Sequence, residues 1–303
     1  MKKFFALVLI IVACSISTAS AQLLYKISGN GLTKPSYILG TYHLLGPDFL
    51  DKVKGLENTA NEVEQFCGEL SLQEYIKLTE LMQTMVADSL PNGQTLRDIF
   101  KPKEFDSINA RTKAVFGMGF NESTELLQSF GRLMPAQYAS LLQGRMYMEI
   151  LKEMPELPLD VALIIAGKEL GKEVIGLESA EFQLKLLNPQ IPLKKQRKIL
   201  LNIVNNWDKT LDILKAITET YQTQDMATMS NLLMNKHNRK YLYGQITSYK
   251  EFIGNRDADW ARRMPDIMRE KSTFFFVGCF HLAGKPGVLN LLRAQGYTVE
   301  PVQ

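Results

Sequence analysis

Two stretches of this chain share one design, an apolar strand ending in Gly-x-x-His, and they lie near opposite ends of the sequence. In the first, Tyr37-Ile38-Leu39 runs into Gly40-Thr41-Tyr42-His43. In the second, Thr273-Phe274-Phe275-Phe276-Val277 runs into Gly278-Cys279-Phe280-His281. Short apolar runs bounded by glycine are the pattern of strands covered on both faces, the kind found in parallel sheets. Open α/β sheets place ligands and catalysis just beyond the carboxyl ends of such strands. The chain has three histidines, and two of them stand at these positions. The expectation is that the two ends of the chain meet to build one site.

The remaining pattern fits that frame. Strands are expected at 23–28, 36–40, 63–70 and 173–177. Helical spacing of apolar residues covers 50–62, 72–87, 103–116, 132–151, 159–170 and 194–221, with two further helices between 241 and 269 broken near Gly254-Asn255. The chain closes as strand 273–278, helix 288–295 and strand 297–301, which predicts a right-handed parallel crossover. The fold class is therefore α/β: a central, mostly parallel sheet with flanking helices and a large helical insertion. With no low-complexity linker and no repeat beyond the two Gly-x-x-His elements, residues 22–303 read as a single domain.

Residues 1–21 read as a secretory signal peptide: Lys2-Lys3, an apolar stretch from Phe4 to Ile16, then the small-x-small site Ala19-Ser20-Ala21 before Gln22. Ile11-Val12-Ala13-Cys14 offers a lesser alternative, a lipobox that would leave Cys14 lipidated. Either route exports the protein to a periplasmic or secreted location. The leader's apolar part falls short of the ~20 residues that span a bilayer, and no later segment reads as a span. The formal charge of +3 includes two from Lys2 and Lys3, leaving +1, which makes no electrostatic case for nucleic acid or anionic lipid. Two cysteines remain after the leader, Cys67 and Cys279, each two residues before a candidate site residue. In an oxidising compartment they are either a pair across the site or two buried thiols.

A catalytic metal centre needs imidazole and carboxylate groups converging from different elements, with one position left for water. His43 and His281 supply imidazoles. Glu69, after Gly68 at the end of the 63–70 strand, is the best carboxylate to join them. Nitrogen and oxygen donors with few thiolates suit a divalent Mn, Co, Zn or Fe. The competing reading is two core histidines satisfied by backbone bonds. Asp160 and Glu178 are candidates to hold an imidazole N–H, and Asp160 could equally complement a helix N-terminus. Arg256 is read either as a binder of a substrate carboxylate or as an exposed salt bridge, and His237 as a solvated surface residue. His-Glu-x-x-His, Gly-x-Ser-x-Gly, a phosphate-binding loop and a dinucleotide fingerprint are all absent, which removes the commonest hydrolase, kinase and dehydrogenase readings.

These residues resemble the TraB/GumN family, which includes the animal Tiki proteins. The resemblance is carried by Leu24-Tyr25-Lys26-Ile27 with Pro35-Ser36-Tyr37-Ile38-Leu39-Gly40-Thr41-Tyr42-His43-Leu44, and by Phe276-Val277-Gly278-Cys279-Phe280-His281-Leu282-Ala283-Gly284-Lys285-Pro286-Gly287-Val288. It extends to Glu69 and to Gly176-Leu177-Glu178. The family's Glu-Arg-Asn element reads Asn255-Arg256-Asp257 here and keeps only its arginine. The resemblance implies a fold akin to erythromycin-esterase-like and haem-uptake ChaN-like proteins. It also implies a divalent metal held by His43, Glu69 and His281. The function expected on this basis is an exported metal-dependent hydrolase, a peptidase acting on a peptide or another small extracytoplasmic substrate. The alternatives are hydrolysis of an ester or glycan at the same centre, and a non-catalytic protein that captures a peptide, haem or metal there.

Overall fold

A computed structural model describes residues 22–84, 89–187, 191–242 and 249–303. The expected leader, with Cys14, and the end of the 72–87 helix lie outside the described residues.

Six strands form one mixed sheet. They are β1 (Leu24–Ser28), β2 (Ser36–Thr41), β3 (Gln65–Gly68), β4 (Glu173–Gly176), β5 (Thr273–Gly278) and β6 (Thr298–Pro301), in the order β4-β3-β5-β2-β1-β6. Neighbours among β4, β3, β5 and β2 are all parallel, while β1 runs antiparallel to both β2 and β6. The residue pattern explains these places. Every residue of β2 is buried, as are all but the last of β5, so both suit the interior of the sheet. β1 exposes Lys26 between buried neighbours, which suits a strand near the rim. The expected parallel crossover at the C-terminus is present. β6 runs in the same direction as β5, but it lies beyond β2 and β1, because the β1–β2 hairpin occupies the places between them.

The sheet and the helices Leu159–Glu169, Asn255–Glu270 and Val288–Ala294 share the larger core, with Phe66, Phe274, Phe275 and Phe276 at its centre. A second core is mainly helical and draws on Leu96–Ile99, Pro102–Phe116, Thr124–Ser129, Pro135–Leu151 and Leu193–Asn205. The helix Trp207–Gln222 joins the two: Trp207, Leu211 and Leu214 lie in the second core, Ile217 and Tyr221 in the first.

Several boundaries differ from the sequence reading. The expected 194–221 helix is two helices, because Asn206 takes φ −123° and its amide caps Asn202 O. The expected 50–62 helix is a 3₁₀ turn, Pro47–Lys52, and a helix, Leu56–Glu62, separated by Gly55 at φ +74°. The expected break at Gly254-Asn255 is absent. Gly254 is helical, and the π turn Lys250–Gly254 runs directly into Asn255–Glu270. Pro265 sits inside that helix and cannot donate to Ala261 O, and Gln295 Nε2 takes over that carbonyl at 2.9 Å. Ala180–Leu187 and Met226–Met234 are helices that apolar spacing did not reveal.

Candidate functional site

Parallel strands end on the same edge of a sheet, so residues that follow their last positions become neighbours. The register aligns Thr41 with Gly278, and Gly68 with both Phe276 and Gly176. Across this edge the chain delivers Glu178, Glu69, His281 and His43 from β4, β3, β5 and β2 in spatial order. Two glycines allow the closeness. A Cβ on Gly40 would meet Leu282 Cδ1 at 2.8 Å and the Cys279 backbone at 3.1 Å. Gly40→Ala is therefore expected to destabilise by about 1–3 kcal/mol through overpacking, measured as a shifted denaturation midpoint. A Cβ on Gly278 would lie 3.3 Å from Glu69 Oε1, 3.7 Å from His281 Cδ2 and 3.8 Å from His43 Nε2. The three candidate ligands thus surround one bare α-carbon. They line a cleft of about 490 Å³ whose walls are mostly apolar, including Leu70, Tyr75, Leu78, Ile164 and Phe280.

Each imidazole is held by a carboxylate through Nδ1. His43 Nδ1–H donates to Asp160 Oδ2 at 2.5 Å, and Thr41 Oγ1 donates to the other Asp160 oxygen at 2.6 Å. Both readings of Asp160 hold at once, since it also lies in the first turn of Leu159–Glu169. The Asp160 carboxylate raises the His43 pKa to about 9, with partial desolvation inside the cleft opposing it. His281 is 3% exposed, and its Nδ1 lies 2.5 Å from Asp257 Oδ1. Its tautomer follows from its other partner. Arg256 Nη1 lies 2.9 Å from His281 Nε2, and a guanidinium can only donate. Nε2 must accept, so the proton sits on Nδ1 and goes to Asp257. Burial pushes the Asp257 carboxyl up, with the His281 contact opposing. Trp260 packs on the His281 ring with centroids 4.3 Å apart and fixes its plane.

Glu69 accepts from Gly278 N at 2.8 Å, Arg256 Nη2 at 2.6 Å and Gln183 Nε2 at 3.0 Å. Burial alone would raise its pKa, but Arg256 and then the two histidines, with the Gly278 N–H, hold it at about 2. A carboxylate depressed from 4.5 to about 2 adds stability above the higher value and loses it as pH falls through the lower. Denaturation between pH 5 and 2 is expected to show this loss, and Glu69→Gln to flatten it.

Glu178 and Arg256 take places different from those expected. Glu178 touches no imidazole. It accepts from Arg256 Nε at 2.7 Å, Arg256 Nη2 at 2.8 Å and Trp260 Nε1 at 3.0 Å. Arg256 is not a surface salt bridge: it is 5% exposed and joins Glu178, Glu69 and His281. Asp257 and Gln183 were missed as site residues. The only clue to Asp257 was its place beside Arg256.

Among the described residues, no three His, Cys, Asp or Glu side chains form a ready-made metal-binding cluster. The reason is local, since Arg256 occupies the acceptor faces of His281 and Glu69, with His281 Nε2 and Glu69 Oε1 3.9 Å apart. The donor chemistry nevertheless fits a divalent ion. Two imidazoles with carboxylate-held Nδ1 atoms and one ionised carboxylate face one cleft, the arrangement that prepares Nε2 lone pairs for a metal.

The cysteines do not pair. Cys67 is level with Phe275 on the neighbouring strand, four residues before Cys279, and both are buried free thiols whose pKa burial raises. Free-thiol counting on denatured, unreduced protein comprising residues 22–303 is expected to find two. His237 is exposed, as expected. No helix among the described residues is long and apolar enough to cross a membrane.

Metalloprotease TIKI2 of Danio rerio is 24% identical over 308 aligned positions, covering 88% of this chain and 58% of that protein, so the chain spans less than two thirds of its relative's length. No solved structure gives a significant match. Residues 23–301 match the TraB/PrgY/gumN family, and the α/β sheet, the paired Gly-x-x-His ends and this match agree: the chain belongs to that family.

Proposed function

We propose that this chain is an exported, divalent-metal-dependent hydrolase that cleaves peptide bonds in the cleft at the carboxyl edge of the sheet. The observation that carries the reading is the pair of imidazoles, each tied through Nδ1 to a buried or half-buried aspartate, facing an ionised glutamate across Gly278. The name of the zebrafish relative adds the reaction class. His43 Nε2, His281 Nε2 and Glu69 would hold Mn, Co, Zn or Fe. Such an ion supplies a Lewis acid for the scissile carbonyl and a lowered pKa for water.

The chain's own groups do the rest. Asp160 and Asp257 keep both rings in the tautomer and plane that leave Nε2 lone pairs toward the cleft. Arg256 must release His281 Nε2 for that nitrogen to serve as a ligand, while its fork on Glu178 keeps the guanidinium beside Glu69. The apolar walls exclude bulk water and strengthen every charge interaction at the strand ends. A peptide library incubated with protein loaded with each metal, and with chelated protein, tests the reading. Cleavage restored by one or more metals supports it, and no cleavage under any metal contradicts it. A second reading has one observation in its favour, the guanidinium already seated on His281 and Glu69: stoichiometric capture of a peptide or haem without turnover.

A further inference from the structure

The helical insertion reaches the cleft through one side chain. Between Leu78 and Pro158, Tyr147 is the sole contributor to the cleft lining among the described residues. It sits near the end of Pro135–Leu151 with its ring packed against the second core. Its neighbours' phenols are all engaged. Tyr42 Oη meets Thr218 Oγ1 at 3.2 Å, Tyr221 Oη donates to Gly40 O at 2.9 Å, and Tyr138 Oη meets Thr112 Oγ1 at 2.7 Å. Tyr147 Oη makes no hydrogen bond among the described residues, and it is not one of the polar atoms shut away from the surface without a partner, so its donor is open to a molecule in the cleft. It lies close enough to Tyr42, the residue before His43, to push that phenol's pKa upward. Gln183 is committed to Glu69 and Glu178, and Arg256 to Glu69, Glu178 and His281. Tyr75 is the other phenol of the lining whose hydroxyl makes no hydrogen bond among the described residues, and it comes from the helix after β3 rather than from the insertion.

We propose that Tyr147 donates its hydroxyl hydrogen bond to the oxyanion that forms on the scissile carbonyl, completing from the insertion a site whose other groups come from strand ends. This assignment rests on the hydrolase reading. The phenol keeps its proton throughout, and burial suits it to that role by pushing its pKa up to about 12, so it is a neutral donor at any working pH. Donors aimed at developing charge act on kcat rather than on substrate affinity.

Tyr147→Phe keeps the ring and its packing and removes only the donor. The test measures kcat and KM on a cleaved peptide, melting temperature, and affinity for a phosphinic peptide whose tetrahedral anion mimics the transition state. The expected result is a fall in kcat of about 10²–10³-fold with KM and melting temperature unchanged, and weaker binding of the phosphinic peptide but not of the uncleaved one. An undiminished kcat in the folded variant, or a loss confined to KM, overturns the Tyr147 assignment alone. Wild type that cleaves no peptide under any metal overturns the hydrolase reading and this assignment together.

Discussion

Arg256→Ala is expected to destabilise the protein by about 3–5 kcal/mol, the cost of stranding buried charges when one partner of an ion pair is removed. The carboxylates left behind are nearly closed to water: Glu178 is 4% and Glu69 12% exposed. Glu178 would lose two donated hydrogen bonds and keep those from Trp260 Nε1 and Gln183 Nε2, while Glu69 would keep Gly278 N and Gln183. At roughly 2–4 °C per kcal/mol for chains of comparable size, the melting temperature should fall by at least about 6 °C. Arg256→Lys should rescue only part of this, because an ammonium cannot reproduce the planar fork on Glu178 while reaching Glu69 and His281. Arg256→Met combined with Glu178→Gln should lie closer to wild type than Arg256→Ala, since it removes both charges of the pair. A midpoint for Arg256→Ala within 1 °C of wild type would mean that the buried network is not held as described.

The second large effect is functional. His43→Ala and His281→Ala are each expected to abolish metal-dependent turnover, while the carboxylates behind them act by degree. Asp160→Asn and Asp257→Asn should each cost about 10–100-fold in metal affinity or activity, the usual cost of losing the group that orients a ligating histidine. The two should differ in stability. Asp257 is fully buried, whereas Asp160 sits beside a His43 side chain that is 62% exposed. Asp257→Asn should therefore lower the melting temperature more than Asp160→Asn. Titration of metal into each variant, followed by calorimetry, separates the two effects.

The parts of this site legible in the sequence are those written in short apolar runs. Tyr37-Ile38-Leu39 and Phe274-Phe275-Phe276 announce interior strands, and a parallel sheet then forces His43, Glu69 and His281 onto one edge. The rest depends on partners distant along the chain. Arg256 opens a helix whose many charged residues suggest a solvated face, and only the fold turns it inward onto Glu178 and Glu69. Asp257 is an ordinary first-turn carboxylate until His281 arrives 24 residues later. Gln183 lies on a short helix, Ala180–Leu187, too brief for periodicity to reveal, and Tyr147 reads as one more apolar position on a core helix. That the C-terminal crossover spans two other strands is not legible, because strand, helix and strand in sequence do not say that a hairpin from the other end of the chain will take the places between. Whether Cys67 and Cys279 pair is not legible in the sequence, because register, which sets Cys67 level with Phe275 rather than with Cys279, is invisible without the sheet.

The central claim is that the two ends of the chain build one metal-binding site. Elemental mass spectrometry on wild type and on His43→Ala/His281→Ala, each loaded separately with Mn, Co, Zn and Fe and then desalted, tests it most directly. The account predicts close to one equivalent of at least one metal in wild type and none in a double variant that keeps its circular dichroism and cooperative melting. Wild type without metal under every loading, or a folded double variant that retains it, would contradict the account.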